Sequence, residues 1–210
     1  MNIESIRHGL ILALLALVMG ALWAAYMATH HEKLHGAFEA AEAAQKKAHT
    51  ENMMNNLDMS QMDMGHHAGN KHAEHSHAAG EQHSHSGSLA KDAMQRLLRG
   101  HIHFMGLGVL AAVLLLITAF TSLKDCWKKV FGWTLGLGSV LYPPAWILMG
   151  FRTVELGPQA AEASVMWLFG PAVGLLLGSM IALLGVLMLE SIGFSKKKPF
   201  NMFFVMEKLQ

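Results

Sequence analysis

Sulfur and imidazole side chains carry most of the chemistry that this 210-residue chain offers, because it contains 16 methionines and 14 histidines but one cysteine. A thioether is an uncharged soft donor that selects Cu(I), whereas imidazole suits Cu(II), zinc and nickel. Twelve of these side chains crowd into residues 53–85, namely Met53, Met54, Met59, Met62, Met64, His66, His67, His72, His75, His77, His83 and His85. The segment is therefore predicted to bind copper in either oxidation state, with zinc as a second candidate ion.

Within residues 53–67, the run MSQMDMGHH resembles the Met/His repeats of periplasmic copper-resistance proteins of bacteria. The matching residues are Met59, Met62, Met64, His66 and His67, with methionines two or three positions apart beside histidine. The resemblance implies copper binding on the outer side of the membrane, without enzymatic activity. The two HxH pairs, at 75–77 and 83–85, are similar to the metal-buffering loops of zinc transporters, which is the competing implication.

Four apolar runs dominate the rest of the chain, at 9–29, 102–121, 130–150 and 165–189, and none has a charged residue in its interior. About 20 residues suffice for a helix to cross a hydrocarbon core of about 30 Å. The composition agrees, since 52% of the residues are hydrophobic and 15% are charged. The sequence predicts an all-α membrane protein with four transmembrane helices and a long, largely disordered His/Met-rich loop between the first two.

Five segments follow from this pattern. They are a first transmembrane helix with a short N-terminus (1–31), a helical extension (32–50), a disordered metal-binding loop (51–88), a helix that leads into transmembrane helices 2–4 (89–190) and a basic, aromatic tail (191–210). Loop 51–88 is Gly- and Ser-containing and almost without large aliphatic residues, which is typical of disorder in the absence of a ligand. The alternative interpretation of loop 51–88 is an inert, solvated linker that binds no metal. Ser88 is the expected N-cap of the helix that follows.

The distribution of lysine and arginine predicts the orientation. Basic residues cluster at 124–129 and 196–198, whereas the short connection 151–164 contains only Arg152. By the positive-inside rule, both termini are then cytoplasmic and loop 51–88 is periplasmic, in a bacterial inner membrane. The first apolar run is long and lacks a small-x-small cleavage site, which favours an uncleaved span.

A second group of candidate ligands falls at the outer ends of the first two spans. Met27, His31 and His35 share one helix face by their spacing, and His101 and Met105 share another. The pattern predicts a structured metal site with His31, His101 and Met105 as first-choice ligands, and with Met27, His35 and His103 as further candidates. Alternatively, His31 with His101 or His103 clamps a haem.

Several classes of function are disfavoured. The formal net charge of +1 argues against a nucleic-acid binder, and the sequence lacks P-loop, GxSxG and HExxH motifs, so no enzymatic activity is expected.

The expected partners are the lipid bilayer and a membrane cuproenzyme or copper exporter. GxxxG steps at 132–136 and 170–178 make a homo-oligomer a further candidate. The alternatives are a structural or accessory subunit of a membrane respiratory or oxidase complex, and a protein of zinc or nickel homeostasis.

Overall fold

In a computed structural model that describes residues 3–60 (side chains to 54), 88–193 and 202–204, four long helices account for nearly all of the described residues. They are α1 (Arg7–Ser60), α2 (Leu89–Phe120), α3 (Asp125–Leu156) and α4 (Pro158–Ser191). Each is long and apolar enough to cross a membrane. For the described residues, this confirms the prediction of an all-helical protein with four helices that can span a bilayer, and it indicates a multi-pass membrane protein.

Helix α3 lies at the centre of the bundle. It packs against α1, α2 and α4, whereas α2 and α4 scarcely touch each other. One buried apolar cluster, with Ile6, Leu115 and Leu135, lies towards the start of α1, and another, with Met27 and Leu97, lies further along it.

Glycines set how closely α1 approaches α3. A Cβ built on Gly9 would lie 2.5 Å from the carbonyl oxygen of Gly132, and one built on Gly136 would lie 2.8 Å from Cβ of Leu12. Small residues at such crossings allow backbones to meet. The first predicted GxxxG step therefore packs helices of one chain, whereas a Cβ on Gly170, Gly174 or Gly178 meets no described atom within 4 Å.

Helix α1 continues well beyond the predicted end of the helical extension. It runs to Ser60, so residues 51–60, which the sequence assigns to the disordered loop, are helical. Neither glycine nor proline occurs in this stretch, and i,i+4 ion pairs precede it, with 2.7 Å between Lys46 and Glu42 and 4.0 Å between Lys47 and Glu51. Methionine and glutamate are good helix formers even where large aliphatic residues are scarce. The remainder of the predicted loop, 61–87, lies outside the described residues.

Two aromatic residues of the tail, Phe203 and Phe204, pack against the bundle. The backbone N–H of Lys124 donates to the carbonyl of Phe203 at 2.9 Å, and Leu123 pairs with Phe204 in an isolated β-bridge. Phe204 is fully buried, and the ring of Phe203 lies 4.9 Å from that of Trp127. These two aromatic side chains thus pack against protein at the turn between α2 and α3.

Candidate functional site

Glu42 of α1 fixes the point at which the chain returns from the Met/His-rich segment. Its Oε2 accepts hydrogen bonds from Oγ of Ser88 at 2.6 Å and from the backbone N–H of Ala90 at 2.9 Å. The side chain of Ser88 makes no cap bond to its own helix, so the expected N-cap residue is in place but the capping group comes from α1. We call this the Glu42 end of the bundle.

The pKa of Glu42, which lies 13 residues beyond the first apolar run, is strongly lowered. The hydrogen bond from Lys46 is the largest cause, followed by those from Ser88 and Ala90, and together they lower the pKa from 4.5 to about 2. Each of these donors favours the ionised carboxylate. Glu42 is also buried, with 6% of its surface exposed. It is therefore a buried, ionised carboxylate that joins α1 to the start of α2.

The structure describes three of the twelve predicted ligands of the segment. Met53 and Met54 project from α1 with 56% and 63% of their surface exposed, and Met59 lies on the last turns of the same helix. Helix α1 ends 18 residues after Glu42, about 27 Å further along its axis. The other nine ligands lie outside the described residues, namely Met62, Met64, His66, His67, His72, His75, His77, His83 and His85.

Two of the three first-choice ligands of the structured site meet beside Gly20. Nδ1 of His101 lies 3.0 Å from the carbonyl oxygen of Gly20, and Sδ of Met105 lies 3.0 Å from a Cβ built on that glycine. Since a carbonyl can only accept, the neutral ring of His101 carries its proton on Nδ1 and leaves the lone pair of Nε2 available. One imidazole and one thioether therefore share a face, the smallest set that could begin a copper site.

The third first-choice ligand, His31, is elsewhere. It follows Gly20 by 11 residues on the same helix, about 16 Å along the axis. Its ring stacks on that of His35 at 6.2 Å, and Nδ1 of His35 lies 3.3 Å from Glu39. The structure therefore does not bring His31 to His101 and Met105, and it does not pair His31 with His101 in the geometry of a haem clamp. Spacing fixes the face of each helix but not the register between helices.

The further candidates are engaged by neighbouring side chains. Met27 is buried in an apolar cluster with Met94 and Leu97. The ring of His103 lies 4.9 Å from that of Tyr142 and 5.6 Å from that of Trp146. Among residues 3–54, 88–193 and 202–204, no three His, Cys, Asp or Glu side chains are grouped as a metal site.

A small cavity between α2, α3 and α4 is a feature that the sequence did not reveal. Its volume is about 110 Å³, and it is lined by Arg96, Arg99, Trp146, Met149, Glu162, Met166 and Phe169. Arg96 donates to Asp92 at 2.9 Å and also contacts Sδ of Met149. The guanidinium of Arg99 lies 5.2 Å from the ring centroid of Trp146. The sequence feature that could have indicated this cavity is the pair Arg96 and Arg99, three residues apart and just before the apolar run 102–121.

The chain matches no protein-family model, no curated protein and no solved structure.

Proposed function

We propose that this protein binds copper at the periplasmic face of a bacterial inner membrane, for copper homeostasis or for delivery to a membrane cuproenzyme or exporter. The observation that carries the proposal is the crowding of five methionines and seven histidines into residues 53–85, which begin on the last turns of α1 and end before α2. Such a donor set is suited to copper in both oxidation states. The exposed thioethers of Met53 and Met54, far beyond the apolar part of α1, support it.

In this proposal the two halves of the segment differ in their chemistry. The thioethers of residues 53–64 hold Cu(I), and the imidazoles of residues 66–85 hold Cu(II) or scavenge other divalent ions. Cu(I) moves along the thioethers and Cu(II) along the imidazoles, and each ion passes on to a partner by exchange of one ligand at a time, without a change of oxidation state. No covalent chemistry is required of the protein, in agreement with the expectation that it is not an enzyme.

In this proposal, His101 and Met105 form a second binding site, which receives copper from segment 53–85. Nε2 of His101 and the sulfur of Met105 are available beside Gly20, and donors from segment 53–85 complete the coordination. Two protein ligands bind copper weakly by themselves, which suits a transfer point better than a store. The orientation follows from the lysines at 124, 128 and 129, which lie at the opposite end of the bundle from Glu42.

The deciding experiment is a competition for Cu(I) between the full-length protein and a chromogenic chelator. Replacing Met53, Met54, Met59, Met62 and Met64 by leucine should weaken Cu(I) binding at least about tenfold and leave Zn(II) binding unchanged, because leucine keeps the apolar bulk but not the sulfur donor. The matched control replaces Met19 and Met188, exposed methionines of the apolar helices. Equal Cu(I) affinity of the wild type and the five-leucine variant would contradict the proposal.

Replacement of residues 61–87 by a Gly/Ser linker of equal length separates copper supply from the alternative of a structural or accessory subunit. The linker is long enough to span the roughly 27 Å between the end of α1 and Ser88, so α1 and the contacts of Glu42 with Ser88 and Ala90 are retained. A copper supplier then loses copper-dependent growth but still accumulates in the membrane. A subunit whose function resides in the bundle retains its complex, and a zinc or nickel protein loses growth only under limitation or excess of that metal.

A further inference from the structure

The cavity between α2, α3 and α4 lies at the level of three tryptophans. Nε1 of Trp23 donates to the carbonyl of Leu97 at 3.1 Å, and two residues later Arg99 lies over Trp146. Trp146 in turn contacts Phe169, two residues from Trp167, which is 70% exposed. Tryptophans that gather at one level of a membrane protein mark the zone of lipid headgroups. The cavity therefore opens where phosphate groups of the bilayer lie.

Two hydrogen-bond donors on residues that line this cavity have no anionic or polar acceptor among the described residues. In the described part of the chain, the only ion pair of the two arginines joins Arg96 to Asp92, so that arginine is neutralised. Arg99 is exposed and contacts the face of an aromatic ring. Nε1 of Trp146 is buried without a hydrogen-bond partner among the described residues. A buried N–H without an acceptor is costly, which points to an acceptor supplied from outside the chain.

A carboxylate completes the lining. Glu162 lies near the start of α4 and is exposed, and in the part of the chain that the structure describes it forms no ion pair with either arginine. The lining of the cavity thus includes a cation, Arg99 of α2, an indole N–H, Trp146 of α3, and an anion, Glu162 of α4. The volume of the cavity, about 110 Å³, exceeds the volume that three waters occupy in the liquid, about 30 Å³ each.

We propose that this cavity binds the phosphoethanolamine headgroup of a membrane phospholipid. Arg99 and the indole N–H of Trp146 donate to the phosphate, and Glu162 accepts from the ammonium group. Met166 and Phe169 adjoin the glycerol region. This proposal is independent of copper binding by residues 53–85.

A copper ion in the same cavity fits the charges less well. The two thioethers, Met149 and Met166, are soft donors, but the sulfur of Met149 is already in contact with the guanidinium of Arg96. With Arg96 neutralised by Asp92, the guanidinium of Arg99 and the carboxylate of Glu162 remain, so the cavity offers one charge of each sign. A phosphate with an amine beside it matches both signs of charge.

The test titrates dioleoylphosphatidylethanolamine and dioleoylphosphatidylcholine into the full-length protein in neutral detergent, with the rise in Tm as the readout. The wild type should bind the ethanolamine lipid more tightly, because the choline headgroup has no N–H to donate to Glu162. Arg99→Gln should weaken binding of both lipids about tenfold, the cost of one charge-assisted hydrogen bond. Glu162→Gln should abolish the preference between the two lipids, and Trp146→Phe should weaken both.

Lys91→Gln is the matched control, since Lys91 is an exposed cation of α2 that does not line the cavity. It should leave both affinities unchanged. Equal affinities of the wild type for the two lipids, or equal losses in Lys91→Gln and Arg99→Gln, would overturn the proposal. Inorganic phosphate alone should raise Tm little. If it raised Tm as much as the lipid does, the cavity would be a site for free anions instead.

Discussion

Glu42 replaces the capping group that the start of α2 does not supply for itself. The first N–H groups of a helix have no partner within the helix and carry a partial positive charge. The carboxylate of Glu42 accepts one of them, from Ala90, and the hydroxyl of Ser88, while Lys46 neutralises its other oxygen at 2.7 Å. A single side chain thus joins the extension of α1 to α2 at the point where the Met/His-rich segment ends.

Removal of this carboxylate should loosen the start of α2. Glu42→Ala is expected to lower the free energy of unfolding by about 1–2 kcal/mol, the usual cost of a lost N-cap, and to speed hydrogen exchange at Ala90. Glu39→Ala is the control, because Glu39 is exposed on the same helix and pairs with His35 of that helix and not with α2 among the described residues. Unchanged exchange at Ala90 in Glu42→Ala would contradict the role of Glu42 as a cap.

The lowered pKa of Glu42 also predicts an acid-dependent loss of stability. A carboxyl whose pKa is lowered on folding contributes stability at pH values above its ordinary pKa of 4.5, and this contribution disappears as the pH falls towards about 2. Glu42→Gln, which does not titrate, should therefore lose less stability than the wild type over this interval. Thermal unfolding at several pH values measures the difference, and parallel curves would count against the assignment.

Helix α2 is held by its neighbours at the opposite end too. Nζ of Lys128, which is buried, donates to the carbonyl of Ala119 at 3.1 Å, and the carboxylate of Glu190 accepts from the backbone N–H of Ser122 at 2.5 Å. Backbone groups at the edge of a bilayer that lack a partner are costly. A cation at the C-terminus of α2 and a carboxylate at its N-terminus also complement the helix dipole.

The contact between α1 and α3 should tolerate no side chain at Gly9. In Gly9→Ala the new Cβ meets the backbone of Gly132 at 2.5 Å, which a rotamer change cannot relieve, so α1 must move away from α3. We expect a lower Tm in detergent and weaker accumulation in the membrane. Gly174→Ala is the control, since its Cβ meets no described atom within 4 Å and should leave Tm unchanged. Equal effects of the two substitutions would contradict the packing.

The orientation of the whole molecule can be tested with its one cysteine. Cys126 is exposed at the start of α3, and we expect it on the cytoplasmic side. A membrane-impermeant maleimide should then leave Cys126 unlabelled in spheroplasts and label it after lysis. In a Cys126→Ser background, Gly65→Cys should label in intact spheroplasts. Labelling of Cys126 but not of Gly65→Cys before lysis would invert the topology and remove the periplasmic copper proposal.

The pH response of metal binding follows from the division of donors along the chain. Imidazoles protonate below about pH 6, whereas thioethers do not titrate. Acidification from pH 7.5 to 5.5 should therefore weaken binding of Zn(II) or Cu(II) much more than binding of Cu(I), as measured by chelator competition with the full-length protein. Equal losses of affinity would contradict the assignment of separate methionine and histidine halves.

The sequence by itself determined the number of helices that are long and apolar enough to span a membrane, because runs of about 20 apolar residues admit one structure in lipid. It also predicts the metal donors of the Met/His-rich segment, since the type of ligand is a property of composition, and this stays a prediction. It misjudged the end of α1 at Ser60, where helix propensity and i,i+4 ion pairs outweigh the scarcity of aliphatic residues.

Tertiary structure alone decided which residues meet. His101 and Met105 share a helix face by their spacing, but only the antiparallel register of α1 and α2 puts them beside Gly20. The same register leaves His31 at 11 residues from Gly20 along α1, away from both. Likewise, Glu42 and Ser88, and Arg99 and Trp146, are far apart in sequence. Periodicity fixes the direction of a side chain around its own helix, whereas register between helices depends on the packing of both surfaces, and small residues such as Gly9 and Gly132 set it here.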